Sequence, residues 1–286
     1  MLQEIRDLGF EYAELSHGIR LSLVPGILDA VDAGEIKISS LHNYCPLPIG
    51  ITSAAPNIFL FSASDQRERD NAYRHSVKTL DFAQRLKAPV VVLHLGQIDM
   101  KDYTHRLLEM ATNGQKDTPK YQKLCAQADE KREAKKEKYL QLAYDMLRRL
   151  EEQAAQRGVV LGVENRECLE ELPLDSDFPF LLREFSGDTV RYWHDTGHAQ
   201  IKENLGFIQQ LMQVESLVED LAGFHIHDTD FPGSDHLPPG KGKVDFAALK
   251  PLVKPEQFKV FELNPSVTVE ELQAGVAHLK GLWREA

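Results

Sequence analysis

Nine residues with ligand or acid-base chemistry, His42, His94, Glu164, Asp195, His198, His225, His227, His236 and Glu262, close a short apolar or β-branched run or fall just after one. Imidazole nitrogens and carboxylate oxygens are the donors that divalent cations take where thiolates are absent, and a carboxylate tuned toward neutrality also moves protons. A single strand-end histidine is ordinarily satisfied by a structural hydrogen bond. Nine such groups at the same end of successive runs instead describe a place where several elements converge.

The motifs sharpen this. In W-H-D-T-G-H, strand alternation turns Asp195 inward together with Trp193 and Arg191, Gly197 lets the chain turn, and His198 reaches back over the mouth. Asp195 or Thr196 also suits a helix N-cap. In L-G-V-E-N-R-E an apolar run ends in Glu164, a charge that is costly at a buried strand end without a cation or a hydrogen-bond partner, and Arg166 is the local partner. F-E-L-N-P repeats the arrangement, with Val260 and Glu262 on one face and Pro265 ending the strand. Glu164 and Glu262 therefore make a pair able to supply ligands and to transfer protons. In F-H-I-H-D-T-D, His225 is the inward ligand, and His227, one pleat further, is either a substrate contact or a loop hydrogen-bonder. Asp228, Asp230 and Asp235 suit turn capping. Lys241 and Lys243, beside the mouth, suit a phosphate or a carboxylate, or simply solvent. His17, His75, His105 and His278 fall in helices or connections and are expected on the surface. Neither G-x-G-x-x-G nor a Walker sequence is present, so no nucleotide cradle is expected.

The elements that must position these groups are legible as seven apolar runs, at residues 12–16, 36–44, 89–96, 159–166, 190–196, 223–228 and 258–264, read as parallel strands. Amphipathic stretches at 65–86 and 205–218 are long enough to be crossover helices, and 117–157 is one long helix or two. Its charge run, AQADEKREAKKEKY, reads as a solvated helical face. Alternation of β and α over this length predicts an α/β fold, a TIM barrel formed by a single domain over residues 1–286, with the site at the C-terminal ends of the strands. The count stops one short of eight. The chain opens with a helix at 2–8, so the first strand is expected to be missing: the natural chain begins upstream, the barrel closes with seven, or one wall stays open to a partner.

Composition narrows the function. A formal net charge of −11 offers no global field for a phosphate backbone or an anionic membrane, which disfavours nucleic acid. No apolar run approaches the roughly 18 residues of a membrane span, and the N-terminus has no signal-peptide profile. Three widely spaced cysteines without a C-x-x-C pattern argue against a disulfide framework or a thiolate zinc site, so a reducing, cytoplasmic setting is expected. The reading leaves room for a homo-oligomer.

The order E-N, D-T-G-H, H-x-H-D, H-L-P-P-G-x-G and a final F-E resembles the xylose-isomerase-like TIM-barrel superfamily, which holds sugar phosphate isomerases and epimerases, inosose dehydratases and isomerases, and endonuclease IV. By resemblance to the keto-hexose epimerase branch, a divalent metal (Mn, Mg, Co or Zn) is held by Glu164, Asp195, His225 and Glu262. Glu164 and Glu262 are then the acid-base pair, and His198 contacts substrate. From their own places near the mouth, His227, Arg166 and Lys241 are expected as further contacts of a small-molecule sugar or sugar phosphate. That branch carries an arginine six residues after the metal histidine, where this chain has Phe231. The endonuclease IV branch implies additional ligands that resemble His42, His94, His198 and His236. Its D-x-H pair reads Ser234-Asp235-His236 here. The resemblance thus implies a metal-dependent isomerase or epimerase working through an enediolate, with a zinc phosphodiesterase as an alternative; the missing first strand motivates a further one, a non-catalytic metal-binding barrel or partner subunit.

Overall fold

The computed structural model describes residues 1–53 and 56–283. Each of the seven runs forms a strand. The strands are β1 (Tyr12–Leu15), β2 (Lys37–His42), β3 (Val90–Leu93), β4 (Val160–Glu164), β5 (Val190–Asp195), β6 (Leu221–Ile226), β7 (Asp228–Asp230), β8 (Ser234–Leu237) and β9 (Phe258–Phe261). Seven of them make one sheet in the order β1-β2-β3-β4-β5-β6-β9, and every register resolved within it is parallel. β3 is the sequence V-V-V-L and is buried at all four positions, as a parallel strand covered on both faces must be. β7 and β8 form a separate antiparallel pair that the strand count missed. The mixed polar sequences Asp-Thr-Asp and Ser-Asp-His-Leu carry no apolar alternation to announce them.

The helices are α1 (Leu2–Asp7), α2 (Val24–Asp32), α3 (Gln66–Leu86), α4 (Thr104–Thr112), α5 (Pro119–Glu133), α6 (Lys136–Arg157), α7 (Phe178–Glu184), α8 (Thr196–Leu205), α9 (Gln210–Leu217), α10 (Phe246–Leu249) and α11 (Val269–Trp283). Caps explain their limits. Asp65 accepts the Arg67 amide at 2.9 Å to start α3, and Lys87 ends it in the left-handed region. The segment 117–157 is two helices, the first opened by Thr118 and Pro119. The expected helix at 205–218 is corrected: α8 begins directly after Asp195, Gly206 ends it at φ +91°, and α9 starts afresh at Gln210.

The chain divides into two compact units. One comprises Met1–Gln97, Lys138–Val163 and Leu182–Arg191; the other comprises Ile98–Glu137, Glu164–Leu181 and the chain from Tyr192 onward. The core of the first includes Val90, Val91, Val92 and Leu161, all buried. In the second, α4, α5 and α8 bury Leu107, Met110, Tyr121, Leu124, Ile201 and Leu205 against one another. Among the described residues no helix is long and apolar enough to cross a membrane.

Candidate active site

Register brings the central group together. Asp195 on β5 is paired with His225 on β6, which is paired with Val260 on β9, and the amide of Glu262 just beyond β9 bonds to Ile226 O at 3.2 Å. The ligand atoms of Glu164, Asp195, His225 and Glu262 all lie within 4.8 Å of one another. Nδ1 of His225 is 2.6 Å from Glu164 Oε1, 2.9 Å from Glu262 Oε2 and 3.9 Å from Asp195 Oδ2. Glu164, Asp195 and His225 are fully buried, whereas the Glu262 side chain is 30% exposed.

The donor set fits a divalent cation. One imidazole nitrogen faces three carboxylates and can offer a hydrogen to only one oxygen at a time. The nearby guanidinium, Arg166, bonds Glu164 Oε2 at 2.8 Å but is shared with Glu171 at 3.1 Å. Carboxylates gathered in a dry interior require a cation or a full set of hydrogen bonds. Three oxygen ligands and one imidazole suit Mn, Mg, Co or Zn.

Asp195 serves two purposes. Its Oδ1 accepts the His198 amide at 2.7 Å, so the capping alternative holds, and the same carboxylate faces the central group. Burial pushes its carboxyl up, but the nearby His198 imidazole and the hydrogen bond with His227 outweigh this and hold it well below the usual carboxylate range. Asn165, which sequence reading passed over, fixes the strand: its Nδ2 donates to Asp195 O at 3.0 Å and its Oδ1 accepts the Asp195 amide at 2.7 Å. Its only signal was its place directly after Glu164. His194 points away from this group. It bonds the Tyr192 hydroxyl at 2.6 Å, and burial pushes its pKa down to about 3.

A second cluster lies around the β7–β8 pair. His227 is buried, with Nε2 at 2.9 Å from Asp195 Oδ1 and Nδ1 accepting the His236 amide at 2.9 Å. His236 stacks on His227 with ring centroids 4.2 Å apart and bonds Asp235 at 3.1 Å. Burial lowers its pKa, but the Asp235 carboxylate prevails and raises it to about 9. His198 Nδ1 lies 3.2 Å from Asn165 O and 3.4 Å from Arg166 Nη1. Of the four residues expected for a second metal set, His198 and His236 thus come together with His227 in one unit. His42 and His94 lie in the other, with ring centroids 4.7 Å apart, where Nδ1 of His94 contacts Asn57 Oδ1 at 3.1 Å.

Several expectations need correction. His105 and His278 are exposed, but His17 and His75 are half-buried, packed against His42 and Phe59. Arg191 sits at the far end of β5 and pairs with Asp188 at 2.9 Å, since alternation alone does not say how deep along a strand a residue lies. Gly197 is inside α8 and makes no turn; a Cβ there would lie 1.9 Å from the His227 ring. Lys241 is exposed on the loop that Asp228 anchors. Asp230 does cap locally, accepting the Phe231 amide at 2.8 Å.

The family model of the xylose isomerase-like TIM barrel matches residues 2–282. The chain belongs to that family. Among solved structures, a putative xylose isomerase from Rhodospirillum rubrum ATCC 11170 is 20% identical, with a TM-score of 0.70, 98% of this chain covered and 92% of that one. A D-tagatose 3-epimerase-like protein is 16% identical at a TM-score of 0.69, covering 99% of this chain and 91% of that one. The IolI protein with a bound zinc atom is 15% identical at 0.63, with 99% and 92% covered. None of the curated proteins matches the sequence. At these identities the likeness to solved structures establishes the xylose isomerase-like fold.

Proposed function

We propose that this xylose isomerase-like barrel is a divalent-metal-dependent isomerase or epimerase of a small sugar or sugar phosphate. The observation that carries the reading is the convergence of Glu164, Asp195, His225 and Glu262 within 4.8 Å in a buried, carboxylate-rich group. Similarity to a D-tagatose 3-epimerase-like protein, to a D-psicose 3-epimerase and to the zinc-bound IolI protein supports it.

Those four residues would hold the cation. When bound, it supplies Lewis acidity toward adjacent carbonyl and hydroxyl oxygens of a sugar, which acidifies the C–H between them. Glu262, the most open of the four, takes the proton from the substrate carbon, and Glu164, entering the step protonated, delivers its own proton to the enediolate, so that the two carboxyl groups end with their protonation states exchanged. Arg166 holds the Glu164 carboxyl group in place through Oε2, while His225 faces Oε1. His198, His236 and Lys241 are the groups left to meet hydroxyls or a phosphate.

Elemental mass spectrometry on protein purified without a chelator or a metal-affinity tag tests this directly. About one divalent ion per chain is expected, lost in Glu262→Gln and kept in His94→Ala. A panel of ketoses and their phosphates in deuterated water should then show deuterium entering at the carbon next to the carbonyl. Two or three zinc ions, partly lost in His94→Ala, with acid-soluble products from abasic DNA, would favour the phosphodiesterase instead. Bound metal without turnover would favour a non-catalytic barrel, and no metal at all would overturn the reading.

A further inference from the structure

His227 is fully buried, and both of its ring nitrogens are engaged. Nδ1 accepts the backbone N–H of His236 at 2.9 Å. A backbone amide can only donate, so Nδ1 carries no proton and the ring hydrogen sits on Nε2. Nε2 lies 2.9 Å from Oδ1 and 3.1 Å from Oδ2 of Asp195, so that hydrogen is donated to the carboxylate. We propose that His227 is a positioning residue, a neutral Nε2–H imidazole that aligns the Asp195 carboxylate on one side and seats the β7–β8 pair, with His236, on the other. The part of this inference that concerns a bound cation rests on the function proposed above.

Packing supports the assignment. A Cβ at position 197 would fall 1.9 Å from His227 Cε1 and 2.1 Å from its Nδ1, so the ring lies directly on the bare backbone of α8. His236 stands at φ +54°, in the left-handed region that residues other than glycine avoid. Its amide bond to His227 and the ring stack, at 4.2 Å and 8° between planes, hold that conformation. The same bonds remove His227 from the pool of metal ligands. The imidazoles of His198, His227 and His236 lie close enough to share a cation, yet one nitrogen of His227 already uses its lone pair and the other carries the hydrogen. This ring therefore acts through Asp195, as an outer partner that orients a ligand.

Two replacements separate the two bonds. The amide nitrogen of glutamine falls near the position of Nε2, and the amide oxygen of asparagine near that of Nδ1. His227→Gln therefore keeps the donor to Asp195 and loses the acceptor for His236, and His227→Asn does the reverse. Metal-free protein would be titrated with cobalt(II) by calorimetry, and hydrogen exchange followed by mass spectrometry over residues 228–237. His227→Asn is expected to weaken cobalt binding about 10- to 100-fold while exchange in 228–237 stays slow. His227→Gln is expected to keep cobalt affinity within about threefold while exchange there accelerates. Unchanged cobalt binding in His227→Asn, or parallel losses of both properties in both variants, would overturn the proposal, the latter being what a merely structural role gives. Nitrogen NMR of histidine-labelled wild type, which needs no variant to fold, should show the His227 proton on Nε2; a proton on Nδ1 would sink the idea. If the wild type binds no cobalt, the proposed function fails, and the NMR and exchange measurements still decide this inference.

Discussion

The two loops that follow β4 and β6 leave the strands that carry Glu164 and His225, and they are held in opposite ways. The loop after β4 is braced from a distance by charge. Arg132 on α5, fully buried, donates to Leu169 O at 2.5 Å and Glu171 O at 3.0 Å and pairs with Asp177 at 3.0 Å. Glu170 accepts from the Tyr103 amide and the Thr104 hydroxyl, both at 2.7 Å. The loop after β6 is held from within by one carboxylate. Asp228 accepts the amides of Thr229, Gly240, Gly242 and Val244 at 2.8–3.0 Å. A brace of the first kind borrows the stability of a helix, so it fails when one distant side chain is lost. A brace of the second kind depends on backbone groups, so it fails when the acceptor changes or when a side chain is added where glycine leaves room.

The sharpest way to break the comparison is Arg132→Met, which leaves Asp177 buried without its guanidinium and two carbonyls without a donor. A loss of about 3–5 kcal/mol is expected by urea denaturation. A loss below about 1 kcal/mol would mean that the loop after β4 does not lean on α5. Asp228→Asn comes next, at about 2–3 kcal/mol, because an amide group replaces one oxygen that faces N–H donors. Limited proteolysis should then cut within 238–244 while the loop after β4 stays intact. Equal sensitivity of both loops would dissolve the distinction between them.

The smallest effect is a pH dependence confined to the second loop. The pKa of His236 is raised from the ordinary 6.5 to about 9 in the folded chain, with Asp235 as the stabilising partner. A raised pKa adds stability that is fully present below 6.5 and is lost as pH climbs through about 9. The denaturation midpoint of the wild type is therefore expected to fall across that interval more than that of His236→Gln. Parallel curves for the two proteins would show that the Asp235 pair contributes nothing to folding.

How much of this was legible in advance follows from the range of each interaction. The seven sheet strands were readable because β-branched runs such as Val90–Leu93 announce buried parallel strands; most ends were set too wide, and β6 begins two residues earlier than the expected 223. Strand-end position marked Glu164, Asp195, His225 and Glu262 among nine candidates, the family resemblance singled out these four, and their ligand atoms lie within 4.8 Å of one another. The β7–β8 pair was not, because its residues are polar on both faces and only tertiary contacts give them a reason to pair. Asn165 was passed over and Gly197 misjudged for the same cause. An amide that clamps a neighbouring strand, and a missing Cβ that admits a histidine ring, leave no periodic trace.

The sequence by itself determined the α/β class, the parallel strands and the strand-end places of Glu164, Asp195, His225 and Glu262, because period-two alternation and strand-end position are local properties of the chain. Only the tertiary structure decided what each remaining polar group does. It turned Arg166 toward two carboxylates, gave Asp228 four amides to hold, and placed His227 between Asp195 and His236 with no lone pair to spare. Those roles depend on which backbone groups meet after the loops have closed, and spacing along the chain carries no record of that meeting.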